Sequence, residues 1–200
     1  MNEKKLIIPH INGEKKGEKF DEWNNDQILT YTILILDVSG SMRSYYFDLI
    51  DMTNQIINIQ KDKKEPNLNE GAIILFGSEA KLIREGKFIE KEDLKLNDIY
   101  DANVGGGTNF YNAFNEAKNY LKIDEKFTSR KVIFLTDGED PHSDIILLCK
   151  DIKESGFKIY FIGLGNTYSF NNLEKFHPNY MLISNNFNEI KQYIIKNSTV

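Results

Sequence analysis

Five oxygen-bearing side chains stand in three short polar loops, each placed after or before an apolar stretch. They are Asp37, Ser39 and Ser41 in DVSGS (37–41), Thr108 in GGGTN (105–109), and Asp137 in TDGED (136–140). Asp-x-Ser-x-Ser spacing on a turn lets alternate side chains face one point. Gly40 and the run Gly105-Gly106-Gly107 let the backbone bend close to that point without Cβ clashes. An all-oxygen donor set suits a hard divalent cation, Mg²⁺ first, with Mn²⁺ or Ca²⁺ compatible. The two carboxylates, Asp37 and Asp137, about balance the ion's charge. Such an ion keeps its attraction for an anionic ligand, such as an Asp or Glu carboxylate supplied by a protein partner.

Loops so far apart in sequence need a scaffold that brings them together. Residues 31–36 (YTILIL) form a nearly continuous run of β-formers, the pattern of a strand buried on both faces. Residues 71–76 (GAIILF), 131–135 (KVIFL) and 157–163 (FKIYFIG) read the same way, with a shorter strand near 180–183. Helical spacing of apolar residues predicts helices over 44–60, 109–121, 143–155 and 187–196. The segment 81–84 (KLIR) follows the second strand closely enough to be its hairpin partner. Strands alternating with helices predict an α/β, doubly wound, Rossmann-like fold. Its central sheet is mainly parallel with one antiparallel edge strand, and helices cover both faces. In such a sheet ligands bind outside the carboxyl ends of the strands, where the polar loops fall. The domain is expected to span 30–200, with 1–29 an N-terminal arm or edge hairpin and 61–70 a solvated loop.

Composition narrows the function classes. Two hundred residues with 40% hydrophobic and 28% charged side chains describe a globular chain. No apolar run exceeds five residues, far short of the roughly 20 that span a bilayer, so no membrane partner is expected. The net charge is −5, with Lys and Asp/Glu interspersed, which disfavours nucleic acid as the main partner. The bias toward 22 Lys over 3 Arg follows an A/T-rich codon pattern. A single cysteine excludes an internal disulfide, and no apolar run long enough for the h-region of a secretory signal follows the initial Met-Asn-Glu-Lys-Lys. The expected location is cytoplasmic.

With the three motifs in this order, the chain resembles the von Willebrand factor A family, and specifically its metal-ion-dependent adhesion site. The resemblance spans about residues 30–196. It implies that Ser39, Ser41 and Thr108 bind the ion through their hydroxyls, with Asp37 and Asp137 acting directly or through water. It also implies a non-enzymatic role: metal-dependent protein–protein binding, as an adaptor or regulatory subunit of a cytosolic multi-protein complex. The chain resembles stand-alone bacterial members of the tellurite-resistance type, and the partners of MoxR-type ATPases.

Two other functions compete. A metal-dependent phosphohydrolase would use the same ion, but the haloacid-dehalogenase pattern needs a second acid at position 39, which is Ser39. Neither a G-x-S-x-G elbow nor a P-loop is present, and His10, His142 and His177 are scattered. A nucleic-acid-associated A-domain of the Ro type is opposed by the acidic balance. A purely structural alternative has Asp37 and Ser39 capping a helix that starts near residue 43. Phe110, Phe114, Leu121 and Cys149 read as core, and Tyr45, Tyr46, Glu139 and Asp140 as rim residues, solvated by default.

Overall fold

Strand β1 (Thr30–Asp37) is buried at every position, and a strand without a solvent face has to lie inside a sheet covered on both sides. Its neighbours are β2 (Asn69–Phe76) and β4 (Ser129–Thr136), both parallel to it. Beyond β4 come β5 (Lys158–Leu164) and β6 (Tyr180–Ser184), also parallel. On the other side β3 (Ala80–Lys87) pairs antiparallel with β2 and closes the edge. The sheet order is β3-β2-β1-β4-β5-β6. The computed structural model describes residues 29–61, 69–87, 92–138, 140, 144–165 and 173–198. The expected arm or hairpin of 1–29 therefore falls almost wholly outside the described residues.

The period-2 alternation of strand side chains sorts the core into two layers. Tyr31, Ile33 and Ile35 with Ala72, Ile74 and Phe76 face α3 (Phe110–Lys118) and α4 (Ile146–Glu154). Leu34 and Leu36 with Ile73 and Leu75 face α1 (Tyr46–Lys61), α2 (Leu96–Ala102) and α5 (Phe187–Ser198). Phe134 is the hub of the first layer. Its ring centroid lies 5.2 Å from Phe76, 4.9 Å from Phe110, 5.0 Å from Phe114 and 5.3 Å from Phe161. Phe110 and Phe114 are thus core, as expected, and Leu121 packs partly buried against them. Among the described residues no helix is long and apolar enough to cross a membrane.

Three features depart from the sequence reading. The expected solvated loop 61–70 is shorter at both ends, since Lys61 closes α1 and residues 69–70 open β2, while 62–68 lie outside the described residues. Helix α2 was not expected, because seven residues with the sequence LNDIYDA are too short to display a 3.6-residue period. The first helix also begins as a 3₁₀ turn (Ser41–Tyr45), with Gly40 at its N-cap and no side-chain capping bond. The side chains of Asp37 and Ser39 therefore do not cap this turn.

The chain runs from β1 outward through β2 and β3, then returns to the other side of β1 as β4. That reversal makes the carboxyl ends of β1 and β4 the topological switch point, where an open α/β sheet leaves a crevice. Replacing the hub is expected to cost about 3–5 kcal/mol, because Phe134→Ala opens a cavity between four other rings. A urea denaturation midpoint lowered accordingly, with an unchanged slope, checks this.

Candidate metal centre

Asp37 is the last residue of β1, one step beyond the final β1–β4 rung Leu36↔Leu135, so it stands beside Thr136. Its carboxylate is wholly buried. Oδ1 accepts the Ser39 amide at 2.8 Å, and Oδ2 accepts the Thr136 hydroxyl at 2.5 Å. The Thr136 hydroxyl in turn accepts the Gly138 amide at 3.1 Å. One carboxylate thus fastens the turn after β1 to the turn after β4. The hydroxyls of Ser39 and Ser41 lie 3.2 Å apart, and Ser41 donates to Asp137 Oδ1 at 2.8 Å. Half-buried Thr108 borders the same turn: a Cβ placed on Gly138 would lie 3.8 Å from its hydroxyl. The structure therefore joins Asp37, Ser39, Ser41 and Asp137 through hydrogen bonds, and sets Thr108 against the Asp137-Gly138 turn.

The glycine loop is held to both neighbours by its backbone. Gly40 N–H donates to the Gly106 carbonyl at 3.0 Å, Glu79 N–H to Val104 at 2.8 Å, and Asn109 N–H to Gly77 at 2.9 Å. Two glycines are required here. A Cβ on Gly77 would meet the Gly105 carbonyl oxygen at 2.4 Å, and Gly105 itself has φ +77°. Asp140, expected on a solvated loop, is instead buried, and its Oδ2 accepts the Phe110 amide at 2.7 Å. It satisfies one of the free N–H groups at the start of α3, while Asn109 accepts the Asn112 amide at 2.9 Å. The only sequence signal for this role was a helix start whose first amides lacked enough acceptors.

Tyr46 also departs from the rim reading: it is buried and donates its hydroxyl to the Val38 carbonyl at 2.7 Å. Tyr45 is half-buried and stacks on Phe187 with centroids 5.7 Å apart. His10, His142 and Glu139 lie outside the described residues, and exposed His177 precedes β6 at the opposite end of the sheet. Cys149 is buried on α4, where burial pushes its thiol up to about 12, so it is an inert core side chain.

Burial drives the electrostatics of the centre. It pushes the Asp37 carboxyl up to about 6, against the opposing hydrogen bonds from Thr136 and Ser39, with a smaller push from the nearby Asp137 charge. Burial raises Asp137 as well, although the Ser41 hydroxyl opposes it. Among the described residues no Lys, Arg or His forms an ion pair with either carboxylate. Nor, among those residues, do three or more His, Cys, Asp or Glu side chains form a cluster fit for a metal. What the loops present is two carboxylates that no cation among the described residues pairs with, set beside hydroxyls. That arrangement fits a hard divalent ion and does not fit a thiolate or imidazole centre.

Residues 33–196 match the model of the von Willebrand factor type A domain. An alignment of 103 positions that covers 47% of this chain is 34% identical to the protein translocase subunit SecA of Finegoldia magna. The chain spans 11% of that relative's length. Among solved structures, proximal thread matrix protein 1 from the mussel byssus superposes with a TM-score of 0.63 at 16% identity, over 86% of this chain and 47% of that one. The same mussel protein with a zinc-occupied MIDAS motif gives 0.59 at 16% identity, with the same coverage. BatB from Bacteroides thetaiotaomicron gives 0.60 at 15% identity, over 84% of this chain and 96% of that one. At these identities the structural matches speak for the fold.

Two predictions follow from the geometry. Folding raises the Asp37 pKa from 3.8 to about 6, so the metal-free folded state holds a proton that the unfolded chain releases. Metal-free stability therefore falls as pH rises through that window, by on the order of 3 kcal/mol in total for 3.8 to about 6. Thermal denaturation in chelator across this range should show the fall, and Asp37→Asn should remove most of it, leaving the part that the raised Asp137 contributes; a wild-type slope in the variant would assign it to another group. Second, Gly77→Ala forces its methyl against the Gly105 carbonyl and should destabilise the fold by about 1–3 kcal/mol in urea denaturation.

Proposed function

The chain belongs to the von Willebrand factor type A domain family, and from that premise we propose that its three-loop rim is a metal-ion-dependent adhesion site that binds a protein partner. Domains of this family commonly mediate metal-dependent protein interaction and are generally not enzymes. The observation that carries the reading is the position of Ser41. Its hydroxyl lies 3.2 Å from that of Ser39 and donates at 2.8 Å to Asp137, and no cation among the described residues pairs with Asp137 or Asp37. Ser39, Ser41 and Thr108 would hold the ion through hydroxyl oxygens. Asp37 and Asp137 would supply its counter-charge, directly or through water.

Mg²⁺ is the ion proposed, with Mn²⁺ or Ca²⁺ compatible with the same hard donors. When bound, it supplies a positive point able to accept an Asp or Glu carboxylate from the partner. The chain's own residues do the rest: they fix the hydroxyls and hold the loops against one another. We place the protein as an adaptor or regulatory subunit of a cytoplasmic complex. The phosphohydrolase alternative is weaker on the same geometry, because both Asp37 oxygens are already hydrogen-bonded and residue 39 is a serine. An aspartyl nucleophile with a neighbouring acid is not assembled there among the described residues.

Calorimetric titration of Mg²⁺ into wild type and Asp137→Ala tests the reading. Wild type should give a saturable heat that the variant weakens at least about tenfold, the scale of a lost charged contact. The variant's stability in chelator should not fall by more than about 1 kcal/mol, since one hydroxyl bond is lost and one half-buried charge removed. Identical heats in both proteins, or none in either, would contradict it.

A further inference from the structure

Beside the rim opens a cleft of about 250 Å³, framed by Arg43, Tyr46, Ile99, Tyr100, Val104 and Gly106. It is continuous with the candidate metal centre through the backbone. Gly40, between Ser39 and Ser41, also lines it, and its N–H is bonded to Gly106 two residues before Thr108. We infer that this cleft is a second anchor for the protein partner: it takes an apolar side chain adjacent to the metal-binding carboxylate, while Arg43 pairs with a second carboxylate of the same acidic segment. The inference rests on the adhesion-site reading above and adds to it the chemistry of the partner.

Three observations carry it. The first is size and wall chemistry. At about 250 Å³ the cleft falls just below the roughly 300–1,000 Å³ of sites for drug-sized ligands, and suits a single side chain. Its floor is preformed. Ile99 and Val104 are buried, and the Tyr46 hydroxyl is tied to the Val38 carbonyl at 2.7 Å. The second is Tyr100, 62% exposed at the mouth, with its ring 6.4 Å from that of Tyr46 in an edge-on arrangement. An exposed tyrosine over an apolar floor offers a large contact area that loses little conformational freedom when covered.

The third observation is charge. Only 3 of the 25 cationic side chains are arginine. Arg84 is engaged by Asp98 at 3.1 Å, and Arg130 by the Asp124 carbonyl at 2.7 Å. Arg43 is exposed with its guanidinium beside the Tyr46 hydroxyl, and among the described residues no carboxylate lies within ion-pair distance of it. A guanidinium presents a planar fork matched to a carboxylate, which a lysine does not. On a chain of net charge −5, an acidic segment gains attraction only where positive charge is local. A bound cation and Arg43, two residues from Ser41, would supply that charge side by side.

The test uses the full chain, ¹⁵N-labelled, with Mg²⁺ and three acetylated, amidated peptides as probes: Gly-Asp-Leu-Glu-Gly, Gly-Asp-Gly-Glu-Gly and Gly-Asp-Leu-Gln-Gly. The first should bind in Mg²⁺ and not in chelator, shifting amides of 38–46 and 99–106. Loss of the leucine or of the second carboxylate should weaken it about tenfold each. Arg43→Gln should weaken the first peptide about tenfold, leave the Gly-Asp-Leu-Gln-Gly affinity unchanged, and not weaken Mg²⁺ itself. Arg43→Lys should recover only part of the loss.

Equal affinity for all three peptides, or amide shifts confined to 37–41, 108 and 137, would overturn the second anchor while leaving the adhesion site standing. Failure of all three peptides to bind a protein that does bind Mg²⁺ would also overturn it. Failure of Mg²⁺ to bind wild type would instead sink the reading on which it rests.

Discussion

A carboxylate that no cation among the described residues pairs with, buried at the end of the most enclosed strand, is the constraint around which this molecule is arranged. Asp37 closes a strand whose eight residues are all inaccessible to solvent. Its oxygens are taken by the Ser39 amide and the Thr136 hydroxyl, yet burial still leaves the carboxyl raised to about 6. A charge so placed destabilises the metal-free fold near neutral pH unless a counter-ion arrives from outside. Apolar cores elsewhere in the sheet offset that cost. The Phe134 hub and the aliphatic layer against α1 and α5 give the sheet stability that does not depend on the rim.

Rigidity of the rim comes from backbone bonds rather than from side-chain bulk. The Gly40–Gly106, Glu79–Val104 and Asn109–Gly77 bonds hold three loops in contact, and the approach is close enough that Gly77 admits no side chain. Asp140 ties the third loop to the first amide of α3. Donor atoms held in place before a ligand arrives lose little freedom on binding it, which is what a binding site needs. The same loops form one wall of the Arg43–Tyr100 cleft, so metal centre and cleft share one framework.

Much of this was legible in the sequence because it is written in patterns with a short physical range. Fully buried strands appear as continuous apolar runs, so residues 31–36, 71–76 and 131–135 located β1, β2 and β4 within a residue or two. The order of strands and polar loops then placed Asp37, Ser39, Ser41 and Asp137 at one end of the sheet, where hydrogen bonds join them. What escaped was local structure decided by tertiary contact. Helix α2 has seven residues and no visible period, yet it supplies Ile99 and Tyr100 to the cleft. Asp140 and Tyr46 carry polar atoms that usually face water; their burial follows from backbone groups at Phe110 and Val38 that needed partners, which no side-chain pattern announces.

The proposed adhesion site requires an ion among the hydroxyls of Ser39, Ser41 and Thr108, beside the carboxylates of Asp37 and Asp137. Anomalous diffraction from crystals soaked in Mn²⁺ locates such an ion directly, since Mn²⁺ shares the oxygen preference of Mg²⁺ and scatters anomalously. The account predicts one strong peak at the carboxyl ends of β1 and β4, within direct coordination distance, about 2.0–2.3 Å, of those three hydroxyl oxygens. A peak bound only by surface carboxylates elsewhere, or an ordered rim with no peak at saturating Mn²⁺, would contradict it.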